Sequence, residues 1–198
     1  LTEVEYVGHT INESGMHFTR SKLQRAIDMP LPRYAKDLKS FLGLANYFRD
    51  HIRNHSARIQ PLSAMLLDYQ PKLVLEWNDI ALEAFENIKQ GINDCPQLFF
   101  MDETSPLHLY TDASLQGIGG YLCQIVNGVE QPIAFYSKSL TKEERNWGIP
   151  CLEGYAIYKA FMEFDYLLRD AHTHVHTDHA NLLYIRDSKE TKVIRWKL

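Results

Sequence analysis

Apolar positions in the first half of the chain recur with the period of a helix. Between Tyr34 and His51, Leu38, Phe41, Leu42, Ala45 and Phe48 fall three or four residues apart and Ile52 continues the stripe, a spacing that predicts one amphipathic helix. Ala81, Phe85, Ile88 and Ile92 predict another over 78–92, with Asn78 or Asp79 able to cap it. Shorter helices are predicted over 22–29, where Ser21 can cap and Pro30 and Pro32 stop the run, and near 59–67. Ahead of them Val4–Ile11 alternates loosely with period two, and a turn rich in Asn, Ser and Gly then leads to a second short strand ending at Phe18. That pattern predicts a hairpin.

The pattern changes at Asp94-Cys95-Pro96. Three short apolar and aromatic segments, 107–112, 119–126 and 132–137, are separated by the turns Ser114–Gly117 and Asn127-Gly128 and predict an antiparallel meander. A long helix is predicted over 142–169 with Tyr155, Ala156, Tyr158, Ala160, Phe161, Phe164 and Leu167 inward, then a strand over 173–177 and a helix over 179–185. The predicted organisation is a hairpin (1–18), a helical region (19–93) and an α/β domain of order βββαβα (94–198).

Composition narrows the class. With 198 residues, 45% hydrophobic and 23% charged, the chain can bury one or two cores, which excludes wholesale disorder and fibrous repeats. No run is long enough for a spanning helix, and the first residues lack the pattern of a signal peptide, so a soluble protein that is not secreted and has no membrane partner is expected. Cys95, Cys123 and Cys151 form no CxxC pair and read as reduced thiols. A net charge of -4 argues against nucleic acid until it is located: residues 19–60 carry nine basic side chains against Asp28, Asp37 and Asp50, a balance of +6, while 61–198 carry -7. A basic segment suits phosphate, and an acidic remainder suits a solvated surface or a metal-collecting site.

Three acids occupy comparable places. Asp112 ends the first strand of the meander, Glu153 lies inside the long helix, and Asp178 ends the last strand. If the crossover returns the chain parallel to that first strand, their ends become neighbours and the acids converge. Converging carboxylates repel unless a cation compensates, so a hard divalent ion such as Mg²⁺ is the natural occupant, and two such ions suit phosphodiester hydrolysis. Taken singly, each acid also fits a structural role: Asp112 as a turn residue, Asp178 as a helix cap, Glu153 as an exposed helix acid.

Ordered motifs add a resemblance. Val7-Gly8-His9 with Ser14-Gly15, then Lys39 to Arg49 (KSFLGLANYFR), Pro61-Leu62, and Trp77 through Phe85 resemble the segment that follows the palm of gypsy-type retrotransposon reverse transcriptases. Leu109 to Ser114 (LYTDAS), Gly117-Ile118-Gly119, Pro132 to Ser137, Leu140-Thr141, Glu144-Arg145-Asn146 and His176 to His179 (HTDH) resemble their ribonuclease H domain. The resemblance implies a ribonuclease H-like mixed sheet, C-terminally incomplete, preceded by a small helical thumb. It implies two Mg²⁺ ions (Mn²⁺ also suits), held by Asp112, Glu153 and Asp178, that hydrolyse the RNA strand of an RNA:DNA hybrid, with Ser114 and His179 as secondary residues. It also implies that Lys39, Gly43 and Tyr47, four residues apart on one helix side, follow the minor groove of a template–primer duplex. Arg49 and Arg53 would add phosphate contacts, and Gly8 and His9 would help position the primer end.

The polymerase's paired aspartates are absent, and the sequence stops before the family's fourth carboxylate, so the partners implied are the rest of a reverse transcriptase and its duplex; oligomeric state stays open. Departures are Cys151-Leu152, where the family is more polar, and Gly120, where it often has alanine. The alternative reading is a nuclease-inactive nucleic-acid-binding or scaffolding fragment of the same fold. A transposase of this fold would place a Glu last, whereas the order here is Asp, Glu, Asp.

Overall fold

The computed structural model describes residues 3–178, and the chain forms two compact units divided after Phe100. The first contains an antiparallel sheet of order β1 (Glu3–Tyr6), β2 (His9–Asn12), β3 (Gly15–Phe18) and β4 (Leu98–Phe99). This corrects the expected single hairpin strand over 4–11. The chain reverses at Val7-Gly8, with Tyr6 opposite His9 and φ of 49° and 80° at the two turn residues. A two-residue reversal of this hand needs positive φ twice; Gly8 meets it without strain, whereas Val7 is β-branched and does not. At the next reversal the Asn12 carboxamide oxygen accepts the amides of Ser14 and Gly15 at 3.0 and 3.1 Å. Because β4 completes this sheet, residues 94–100 belong with the first unit, not with the α/β domain in which the sequence pattern placed them.

Four helices complete the unit: α1 (Arg20–Ile27), α2 (Ala35–Tyr47), α3 (His55–Ala64) and α4 (Asp79–Asn93), with a 3₁₀ turn over Arg49–His51. Thr19, not Ser21, holds the cap position of α1. Asn78 caps α4, its side chain accepting the Ala81 amide at 2.8 Å. The stripes of α2 and α4 meet in one core, where Phe41 and Phe85 lie 4.6 Å apart between ring centres and Leu38, Phe48, Ile88 and Ile92 are fully buried. Each such side chain contributes roughly 1.5–3 kcal/mol, more than helix propensity supplies over a segment this short. Asn54, at φ 55°, separates the 3₁₀ turn from α3, which therefore starts at His55 and not at residue 59.

The second unit has a four-stranded sheet of order β7-β6-β5-β8, built from β5 (Leu107–Ala113), β6 (Gly117–Val126), β7 (Val129–Ser139) and β8 (Thr173–His176). The first three strands form the expected meander, and β8 pairs parallel to β5. The single helix expected over 142–169 is instead a 3₁₀ turn (Glu144–Asn146), α5 (Ile149–Glu163) and α6 (Asp165–Leu168). Pro150 lacks an amide hydrogen and is tolerated only in a first turn, so it fixes the start of α5. One core sets Leu107, Leu109 and Leu122 against Ala160, Phe164 and Leu168, and a second gathers Ile118, Leu140, Leu152, Tyr155 and Ala156. Phe161, expected inward, is exposed. The helix expected over 179–185 lies outside the described residues. Among the described residues no helix is long and apolar enough to cross a membrane.

Candidate active site and nucleic-acid interface

Parallel pairing of β5 with β8 sets Tyr110 opposite His176, and Asp112 and Asp178 each follow two residues later. Asp112 is thus the penultimate residue of β5, still paired with Gly119 of β6, and Asp178 stands just beyond the end of β8, so the two acids come at the carboxyl ends of neighbouring parallel strands, where α/β sheets form their sites. The crossover helix α5 passes this end and carries Glu153 in its second turn. Glu153 is only 3% exposed, which removes the reading of it as a solvated helix acid. Its carboxylate accepts a hydrogen bond from the Ala113 amide, and its Oε2 is buried without a partner. Burial, then the negative charges of Asp178 and Asp112, raise its carboxyl from the ordinary 4.5 to about 7, against the opposing Ala113 bond. Two of the three sequence-predicted acids thus bear on the third, Glu153, from β5 and from just beyond β8.

Among the described residues no three His, Cys, Asp or Glu side chains are grouped at coordinating distance. The donor set nonetheless fits a hard divalent cation: it offers carboxylate oxygens only, one of them unpartnered in a buried position, and both outside charges acting on Glu153 are negative. Ser114 builds the turn after β5. Its hydroxyl accepts the amides of Gln116 and Gly117 at 3.2 Å while its own amide donates to the Gly117 carbonyl at 2.8 Å. His179 lies outside the described residues.

In the first unit, Lys39 and Gly43 lie on the exposed side of α2, and a Cβ built on Gly43 meets nothing within 4 Å. Tyr47, expected on the same helix side, differs from them in exposure. It is half-buried; its hydroxyl donates to the Val7 carbonyl, and its ring packs 5.4 Å from Phe18 and from Phe48. His9 lies 5.6 Å from the same ring, so Gly8, His9 and Tyr47 form one junction between the first hairpin and α2. Arg49 pairs with neighbouring Asp50 at 3.1 Å, both well exposed, a contact that contributes little. Arg53 is exposed on the segment before α3. Two residues were not anticipated: Lys22, whose ammonium sits 5.2 Å from the Tyr47 ring centre, and Tyr69, which lies 4.4 Å under the Lys39 ammonium. The basic run in the sequence pointed to Lys22, but only its place beside Tyr47 distinguishes it from the other cations.

An α/β unit of this topology, with acids at two parallel strand ends and on the crossover helix, defines a ribonuclease H-like domain. Residues 102–198 match the family described as the RNase H-like domain found in reverse transcriptase, and this part of the chain belongs to it. Such domains generally use divalent metals. Over 99% of its length the chain is 31% identical to a retrovirus-related Pol polyprotein from the transposon opus of Drosophila melanogaster, and over its whole length 28% identical to the transposon Tf2-3 polyprotein of Schizosaccharomyces pombe. It spans 21% and 15% of those polyproteins. Among solved structures, a foamy viral protease-reverse transcriptase in complex with an RNA/DNA hybrid superposes with a TM-score of 0.72 at 25% identity, covering 98% of this chain and 27% of that one. The same viral protein in complex with double-stranded DNA gives a TM-score of 0.77 at 24% identity over 99% of this chain and 42% of that one. The fold is thus shared along nearly the whole described chain, helical region included.

Proposed function

We propose that the chain is the part of a retroelement reverse transcriptase that holds the template–primer duplex and hydrolyses the RNA strand of RNA:DNA hybrids. The observation that carries this reading is Glu153, buried with an unpartnered oxygen and raised by burial and two converging acids. Asp112, Glu153 and Asp178 would hold two Mg²⁺ ions. Bound there, the ions supply the charge neutralisation and water activation that phosphodiester cleavage requires. The protein's own contribution is to fix the three carboxylates on two strand ends and a helix.

In the helical unit, Lys39 and Gly43 present a track for a sugar–phosphate backbone, and the junction of Gly8, His9 and Tyr47 stands at its end. Arg49 and Arg53 add phosphate attraction. Hybrid-bound and DNA-bound relatives of the same fold support this assignment. The rest of the polymerase is the expected partner, and the setting an intracellular particle or the nucleus.

The test is RNA release from a labelled RNA:DNA hybrid with Mg²⁺, compared with an Asp112→Asn variant. Release by the parent chain and none by the variant is expected. Equal release by both, or by neither, rejects the nuclease reading and leaves a duplex-binding module, whose affinity is measured separately.

A further inference from the structure

Lys138 at the end of β7, Glu144 in the 3₁₀ turn and Tyr155 in α5 close a three-way contact. The Lys138 ammonium donates to both Glu144 oxygens at 2.6 and 2.9 Å and bonds the Tyr155 hydroxyl at 3.0 Å; that hydroxyl donates to Glu144 at 2.7 Å. The Thr141 amide adds a fourth bond to Glu144 at 2.8 Å. The Lys138 and Glu144 side chains are 31% and 12% exposed, so the pair is substantially shielded. Trp147 packs edge-on against Tyr155 at 5.1 Å.

Three elements are joined here, and none of the three residues belongs to the carboxylate trio. The N-terminus of α5 has no side-chain cap of its own, with Gly148 in the cap position. Its first turns are held from the side instead, by this contact and by Leu152, Tyr155 and Ala156 packing on Ile118 and Leu140. Apolar packing tolerates small slides, whereas charge-assisted bonds fix distance and direction.

We infer that Lys138, Glu144 and Tyr155 clamp the first two turns of α5 to the sheet and thereby set where the Glu153 carboxylate stands against Ala113 and Asp112. They are positioning residues for the metal site, an assignment that rests on the nuclease reading above. The clamp acts through Glu153's hydrogen bond to the Ala113 amide, which gives a readout independent of activity.

The experiment uses the isotope-labelled full chain without metal. Amide exchange is followed at Ala113, with Leu109 in the middle of β5 as internal reference, and Mg²⁺ affinity is measured by calorimetry. The variants are Tyr155→Phe, the paired Lys138→Met/Glu144→Gln, which leaves net charge unchanged, and Lys138→Arg, which keeps the ion pair. Expected for the first two is exchange at Ala113 accelerated about tenfold relative to Leu109, with weaker Mg²⁺ binding, and near-parental behaviour for Lys138→Arg. Unchanged exchange at Ala113 overturns the inference. So does equal acceleration at both amides in Tyr155→Phe, which would make the contact a general stabiliser. If the parent chain binds no Mg²⁺ the nuclease reading fails, while Ala113 exchange still decides on the clamp.

Discussion

Glu144 and Glu153 are nine residues apart, both shielded from water, and their surroundings are opposite. Burial alone would raise Glu144, but the Lys138 ammonium, the Thr141 amide and the Tyr155 hydroxyl outweigh it and hold its carboxyl at about 2. Around Glu153 burial is reinforced by Asp178 and Asp112, and only the Ala113 amide opposes them. One glutamate is satisfied by the protein; the other is left short of counter-charge. Buried acids are ordinarily paired because an unpaired one costs stability. The contrast therefore separates a residue that serves the fold from one that the fold holds at a cost, and the second is the residue on which the proposed chemistry rests.

The largest effect that tests this contrast comes from Glu153→Gln. Hydrolysis of a hybrid should fall about 100-fold or more, while the metal-free chain at pH 7.5 should gain about 1–3 kcal/mol by urea unfolding, because a buried charge facing two acids is gone. A variant that lost both activity and stability would place Glu153 with Glu144. The pH dependence is next in size. Between 4.5 and about 7 the folded chain holds a proton on Glu153 that the unfolded chain has released. Stability is then full below pH 4.5 and declines as pH rises through 7, by at most about 3 kcal/mol. Unfolding of the metal-free chain at pH 5 and 7.5 measures the decline, and Mg²⁺ at pH 7.5 should reverse it. Glu144 runs the other way, its contribution present above 4.5 and lost as pH falls towards 2.

Removing the satisfied partner should act oppositely and less strongly. Glu144→Gln leaves Lys138 without its carboxylate and should cost about 1–2 kcal/mol, discounted because the lysine is a third exposed. Thermal unfolding with and without 1 M salt, at which exposed pairs are screened, separates the buried share of this pair from the screened one. No loss in either condition would place the contact among ordinary surface pairs.

The burial periods of α2 and α4 and the β5–β7 meander were legible because packing against one face imposes a period on the sequence. The start of α5 was legible in principle from Gly148 and Pro150, but the apolar run across them hid the break. Val7 was not legible as a turn residue, since a β-branched side chain argues against the left-handed backbone that it adopts beside Gly8. The acids were visible as candidates from their places at strand ends and on a helix, yet what marks Glu153 is its burial, and no single glutamate in a sequence announces that. Lys138, Glu144 and Tyr155 come from a strand, a turn and a helix whose meeting depends on the tertiary fold.

Two glycines carry the same contrast down to small effects. At Gly120 a Cβ would lie 3.0 Å from the Ala160 Cβ and 3.5 Å from Phe164, so Gly120→Ala should destabilise by about 1 kcal/mol even though alanine is small. Gly43 has open space around it in the middle of α2. There an alanine restricts the unfolded chain and suits the helix, so Gly43→Ala should stabilise by about 0.5–1 kcal/mol. If the open face of α2 receives a sugar–phosphate backbone, the added methyl group stands in its path, and fluorescence anisotropy should show weaker hybrid binding by the more stable protein. Unchanged affinity would return Gly43 to the solvated surface and leave Lys39 without its track.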